Sequence, residues 1–379
     1  MKDAAYWIAL SHLPRWGSQK INNLIIKFYH NSGISIEEFF NLPKGIWEKQ
    51  YELEAKDVKD LVNAKLEVPN YAFLAESLIS QGFEMIPITS KVYSQTLKNN
   101  LKTSFAPPLL YIKGNTKLLH ENSVAIVGSR DASEIALKFA DVIAKKSTES
   151  YKVIVSGFAK GVDRQALDSA IKYKGQSIIV LPQGIQTFTS GYKEYYRQIV
   201  NGDVLVLSTF FPKSPWKTAL AMARNPIIYG LANDIYVAES SEKGGTWEGV
   251  HDGLKKGRKI FVRMPQPGEK NANKLLIASG AIPIDDVGNV IYVAPKSVSG
   301  SSKITVVNEP SDTFDETIRN LVRSKPMTAS EILEKLKLDY SVRKLSTQLK
   351  KMDFLETKKI KNKIHYKVKI NSSVQPTLF

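Results

Sequence analysis

Apolar positions along this chain change their spacing twice. Over residues 4–82 they recur at helical intervals: Tyr6–Leu10, then Ile21, Leu24, Ile25 and Phe28 beyond Pro14. Two further helical patterns cover Asp57–Lys65 and Tyr71–Gln81. Residues 86–113 are transitional, punctuated by Pro87, Pro107 and Pro108. Short β-branched runs then take over: Leu109–Ile112, Val124–Val127, Val153–Val155, Ile178–Leu181, Val204–Leu207, Ile235–Ala238 and Ile260–Arg263. Helical stretches separate most of them, among these the pattern Ile135, Phe139, Val142 and Ile143. Strands alternating with helices predict an α/β fold with a doubly wound, mainly parallel sheet. Short strand candidates in 281–295 belong at its edge.

Beyond residue 295 the pattern changes again. Residues 296–311, KSVSGSSKITVVNEPS, are rich in serine and poor in helix formers, and read as a linker. Helical patterns follow over Asp312–Val322, Thr328–Leu336 and Ser341–Met352. The second opens on a capping box, Thr328-Ala329-Ser330-Glu331. Strand candidates Phe354–Glu356 and Ile364–Val368 then bracket a basic hairpin. Three helices and a hairpin predict a winged-helix unit whose third helix is the recognition element. Its candidate DNA contacts are Arg343, Lys344, Lys350 and Lys351 on that helix, and Lys358, Lys359, Lys361 and Lys363 on the wing. The same surface would also serve protein contact. The predicted organisation is a helical domain over 1–85, the sheet domain over 86–295, the linker, the winged helix over 312–370 and a tail over 371–379.

Charge sharpens this picture. The 379-residue chain carries a net charge of +16, and residues 312–370 hold fifteen Lys and Arg against eight Asp and Glu. Such an excess points to a polyanionic partner, nucleic acid before membrane. No run is long and apolar enough to span a bilayer. The absence of cysteine excludes disulfides and cysteine-ligated zinc, and fits a cytoplasmic protein. Five scattered histidines give no metal site. The stretch Leu13–Lys20, which runs into a helix, has the flavour of a helix-turn-helix, although such a turn more often joins two helices of a bundle.

The candidate chemistry lies where strands run into glycines. Val124–Val127 leads into Gly128-Ser129-Arg130, and Val153–Val155 into Ser156-Gly157-Phe158-Ala159-Lys160-Gly161. Ligands of parallel sheets sit at the carboxyl ends of the strands. There, backbone N–H groups beside a fixed cation form a site for phosphate. Two later segments join these: a loop at Arg224-Asn225, and Lys243-Gly244-Gly245-Thr246 opening a helix. The expected pocket is ringed by Arg130, Lys160, Arg224 and Lys243, with Phe158 available either to stack on a base or to pack. Neither a dinucleotide fingerprint nor a Walker loop is present, so no cofactor is expected.

Gly128-Ser129-Arg130, Ser156–Asp163, Arg224-Asn225, Gly257-Arg258 and Ala278–Ala281 resemble, in this order, the DNA-processing protein family DprA, also called Smf. The resemblance is specific over residues 120–285. It implies a Rossmann-like domain that binds single-stranded DNA, forms homodimers and loads RecA recombinase in transformation or repair. The flanking helical domain, of SAM or helix-hairpin-helix kind, and the winged helix match the family's three-part layout. The sequence departs from the family pattern at Ala166-Leu167, at Pro226 and at Glu242-Lys243, which marks a divergent member. An alternative reading is a nucleotide sensor or nucleotide-cleaving enzyme of the lysine-decarboxylase-like type. In that reading Gly244–Thr246 would cradle phosphate and Glu248 would be the carboxylate catalyst. A further alternative is an adaptor. The terminal Gln375, Leu378 and Phe379 resemble the motif by which bacterial proteins bind the sliding clamp.

Overall fold

A computed structural model describes residues 3–291 and, nearer the C-terminus, 314–323, 325–336, 342–350, 352, 354–360 and 363–369. The chain forms two compact units, Met1–Ala294 and Pro295–Phe379. The first unit begins with helices α1 (Ala4–Ser11), α2 (Ser18–Ile25), α3 (Ile36–Asn41), α4 (Lys44–Lys49) and α5 (Ala55–Ser80). Their apolar faces meet in an aromatic cluster, where Phe39 stacks on Phe28 at 4.5 Å and lies edge-on to Tyr51 at 5.3 Å.

One expectation is corrected here. The two helical patterns over Asp57–Lys65 and Tyr71–Gln81 form a single helix, α5, which passes through Pro69. A proline inside a helix removes one N–H and so frees the carbonyl four residues back. Pro69 and Lys65 are both exposed, where a freed carbonyl is least costly.

The sheet follows. Strand β1 (Glu84–Pro87) leads through α6 (Gln95–Leu101) to β2 (Leu109–Lys113) and β3 (Ser123–Val127). Then come α7 (Glu134–Glu149), β4 (Val153–Ser156), α8 (Val162–Lys172), β5 (Ser177–Val180), α9 (Thr189–Glu194), α10 (Tyr196–Asn201) and β6 (Val204–Ser208). The unit closes with α11 (Thr218–Leu231), β7 (Asp234–Val237), α12 (Gly245–Lys255), β8 (Ile260–Arg263), α13 (Asn273–Ala278) and β9 (Ile282–Ile284).

The strand order is β1-β2-β6-β5-β4-β3-β7-β8-β9, parallel from β6 through β9, with β1 and β2 antiparallel at one edge. This is the doubly wound, mainly parallel sheet that the β-branched runs predict. Alternation along β3 divides its side chains between two layers. Val124 and Ile126 meet Phe139 and Ile143 of α7, while Ala125 and Val127 join the cluster shared with the N-terminal helices. Helix α11 carries the chain from β6 across to β7, and so reverses the direction of winding beside β3. The crevice between the loops after β3 and β7 is therefore the switch point of the sheet, where α/β proteins place ligands.

The second unit contains α14 (Phe314–Arg323), β10 (Met327–Thr328), α15 (Ala329–Lys335), α16 (Val342–Leu349), β11 (Leu355–Ile360) and β12 (Lys363–Val368). Its antiparallel sheet has the order β10-β12-β11. The capping box at the start of α15 is formed reciprocally by Thr328 and Glu331. A core of Ile318, Ile332, Leu345, Leu349 and Tyr366 lies beneath. These elements do not conflict with the expected winged helix. The linker 296–311 and the tail lie outside the described residues.

Phe39 is fully buried among four aromatic rings. Truncation there leaves a cavity that such a cluster cannot close. Phe39→Ala is expected to lower stability by about 3–5 kcal/mol in urea denaturation. A loss below about 1 kcal/mol would show that the cluster repacks.

Candidate functional site

Three loops at the carboxyl ends of β3, β4 and β7 are laced together by backbone hydrogen bonds. The Ser129 amide donates to the Glu239 carbonyl at 2.9 Å, and the Val162 amide to the Ser129 carbonyl at 3.3 Å. Gly161 sits at φ +83°, and a Cβ there would lie 2.4 Å from the Ser129 carbonyl oxygen. Only glycine allows α8 to begin so close to the first loop. On the other side, the fully buried Asn273 accepts from the Ser240 amide at 3.0 Å and donates to the Ala238 and Arg263 carbonyls. Arg263, also fully buried, is held by Glu269 and Asp286.

These loops and α11 enclose a cavity of about 360 Å³. It is lined by Gly128, Ser129, Arg130, Arg224, Asn225, Lys243, Gly244, Gly245 and Thr246 from among the sequence candidates. Arg130 and Lys243 are exposed at its mouth. Arg224 lies at its floor, 3% exposed, with Nη1 3.7 Å from Asp163 Oδ2. Asp163 also accepts from the Gly157 amide at 3.2 Å. Burial raises the Asp163 carboxyl above the usual aspartate range, and the Arg224 guanidinium opposes that rise. Burial likewise lowers Arg224, with Asp163 acting against it. Arg224 Nε and Nη1 and the Tyr229 hydroxyl are buried without a hydrogen-bond partner among the described residues.

The remaining candidates lie elsewhere. Ser156 is buried and its hydroxyl donates to the Asp163 carbonyl at 2.6 Å. Gly157 lies behind the floor, where a Cβ would fall 1.5 Å from Arg224 Nη1. Phe158 packs edge-on against Phe188 at 4.7 Å and Tyr195 at 5.7 Å, with the Arg164 guanidinium 4.0 Å over its ring. It holds this position at φ +60°, which is rare for a bulky residue. Lys160 is exposed outside the cavity, 3.9 Å from Asp131, which lines it. Glu248 is exposed on the first turn of α12 and does not line the cavity. In the second unit Arg343, Lys350, Lys358 and Lys359 are exposed, and Lys344 and Lys363 lie on α16 and β12. Lys351, Lys361, Gln375, Leu378 and Phe379 lie outside the described residues.

Two corrections concern the site. Arg224–Ile228 is not a loop but the middle of α11, which passes through Pro226. Burial of Ala221, Ile227, Ile228 and Leu231 outweighs the cost of the proline, about 3 kcal/mol. Sequence reasoning also assigned no role to Asp163, Met222 or Tyr229, although all three line the cavity. Asp163 stands two residues after Gly161, on the first turn of α8, but its partner lies far along the chain.

A family model described as DNA recombination-mediator protein A matches residues 84–294. This chain belongs to that family. Among curated relatives, the DNA processing protein DprA of Streptococcus pneumoniae is 30% identical over 248 residues, 64% of this chain and 87% of that protein. DprA of Bacillus subtilis is 32% identical over 185 residues, 48% of this chain and 61% of that protein. The X-ray structure of DprA from S. pneumoniae superposes with a TM-score of 0.51 at 26% identity, over 72% of this chain and 95% of that one. The recombination-mediator match begins at β1 and ends after β9, so it covers the whole sheet and every loop of the cavity.

Arg224→Ala would leave Asp163 buried without its counter-charge. The expected loss is about 3–5 kcal/mol at neutral pH by urea denaturation. Without the guanidinium, the folded state holds the Asp163 proton more tightly than the unfolded chain does. The deficit should therefore narrow as pH falls toward the ordinary aspartate value. A pH-independent deficit would exclude this origin.

Proposed function

We propose that this chain is a single-stranded DNA-binding protein that grips the sugar–phosphate backbone at the rim of its sheet without breaking any bond. In this reading it protects incoming or exposed strands and loads RecA recombinase onto them, in the cytoplasm, during transformation or recombination. The observation that carries the reading is the set of donors in the cavity. Exposed cations Arg130 and Lys243 stand at its mouth beside Gly244 and Gly245, over Arg224, whose Nε has no hydrogen-bond partner among the described residues. Cations beside glycine-loop amides suit an acceptor-rich, anionic ligand. Phosphate oxygens and base edges supply such acceptors.

Membership of a recombination-mediator family supports the DNA partner. The basic second unit fits a further contact, through Arg343, Lys344, Lys350 and Lys351 on the recognition helix and Lys358, Lys359, Lys361 and Lys363 on the wing. A homodimer and a sliding-clamp contact through Gln375, Leu378 and Phe379 complete the reading. These have the support of resemblance, and deletion of residues 371–379 is the direct test of the clamp contact. The exposed position of Glu248, away from the cavity, favours binding over nucleotide cleavage.

Arg130 is at the cavity mouth and exposed, so its loss should leave the fold intact. Filter binding across a salt series should show Arg130→Ala weakening all single-stranded sequences to a similar extent. The slope of log affinity against log salt should shrink by about 0.7, one phosphate contact. Wild-type affinity and slope in that variant would refute the reading.

A further inference from the structure

A second cavity lies on the other side of α11. It has a volume of about 480 Å³ and lies where the first N-terminal helices meet the loops before β2 and after β6. Trp16, Phe105, Pro108, Phe210 and Ile227 give it an apolar lining; Lys256 is its one cation, and no carboxylate lines it. Helix α11 is the partition between the two cavities. Met222, Asn225 and Ile228 face the first, whereas Ala223, Pro226 and Ile227 face the second. A strand with a phosphate in the first cavity therefore needs to cross only one helix, about 10 Å wide, to reach the second.

Phe105 is the decisive residue. It is 54% exposed. The loop is nevertheless clamped. The side-chain amide of Asn22, itself 1% exposed, donates to the carbonyls of Thr103 at 2.8 Å, Ser104 at 3.3 Å and Ala106 at 2.7 Å. The Phe105 amide also donates to the Lys102 carbonyl at 3.0 Å. The backbone on both sides of Phe105 is thus fixed by a buried polar group while the ring remains in water. Phe210, which lines the same cavity, is fixed in a similar way, its amide donating to Ser208 Oγ at 3.1 Å. Rigid aromatic faces beside a cationic rim are the usual means of holding unpaired bases, because every base offers a π-face.

We infer that this cavity is a stacking subsite for unpaired nucleobases of the strand whose backbone occupies the first cavity. The inference rests on the single-stranded DNA reading. It assigns Phe105 as the platform, with Phe210 lining the same cavity. Lys256 adds little charge, because it is paired with Asp252 at 2.6 Å. The contribution of this cavity is therefore apolar, whereas that of the first is ionic.

The two kinds of contact separate in a binding experiment on the full chain. Fluorescence anisotropy with a mixed-sequence 20-nucleotide strand and with an abasic strand of equal length distinguishes stacking from phosphate contact. Phe105→Ala is expected to weaken the normal strand about tenfold with an unchanged salt slope, and to leave the abasic strand unaffected. Phe105→Tyr keeps the ring and should restore binding. If Phe105→Ala binds the normal strand as wild type while Arg130→Ala still weakens it, the stacking subsite is wrong and the DNA reading stands. If neither substitution has an effect, the DNA reading itself fails. An equal loss on both strands would assign Phe105 a role in shaping the rim and would also overturn the inference.

Discussion

The buried pair of Asp163 and Arg224 is the constraint around which the rest of the rim is arranged. One charge comes from the first turn of α8 and the other from the middle of α11, so the pair joins the two directions in which the sheet is wound. Both charges have left water, and each is tolerable only in the presence of the other. Gly157 follows from this, since a side chain there would occupy the volume of the guanidinium. The proline within α11 follows as well, because that helix is held by what it packs against rather than by an unbroken ladder of hydrogen bonds. Beyond the pair, Arg224 Nε has no hydrogen-bond partner among the described residues.

Much of this was legible in the sequence, for identifiable reasons. The central strands are β-branched runs buried on both faces, and such runs stand out without any knowledge of their neighbours. The glycine loops announced themselves because they follow directly on those strands. The edge strand β1 was not legible. Glu84 and Pro87 dilute its apolar signal, and its burial comes from β2 and the N-terminal helices. Helix α5 was read as two, because local propensity gives weight to Pro69 while tertiary packing overrides it. The sequence singles out Arg224 but places it on a loop, whereas it lies within α11. Its burial, and hence its chemistry, depends on Asp163, and no window of sequence contains both.

The sheet and the N-terminal helices share one apolar cluster, so the helices do more than precede the binding rim. They form one wall of the second cavity through Trp16 and Ile21, and through Asn22 they fix the loop that carries Phe105. Sequence similarity to the family model begins only at residue 84.

Phe158 carries a consequence of its own. A bulky residue in the left-handed region stores about 1–3 kcal/mol of backbone strain, and it persists only where the surroundings over-determine it. Here two aromatic edges and a guanidinium do so. The turn after β4 is consequently set in shape before any ligand arrives. A ligand that met this turn would find it preformed and would incur no ordering entropy there.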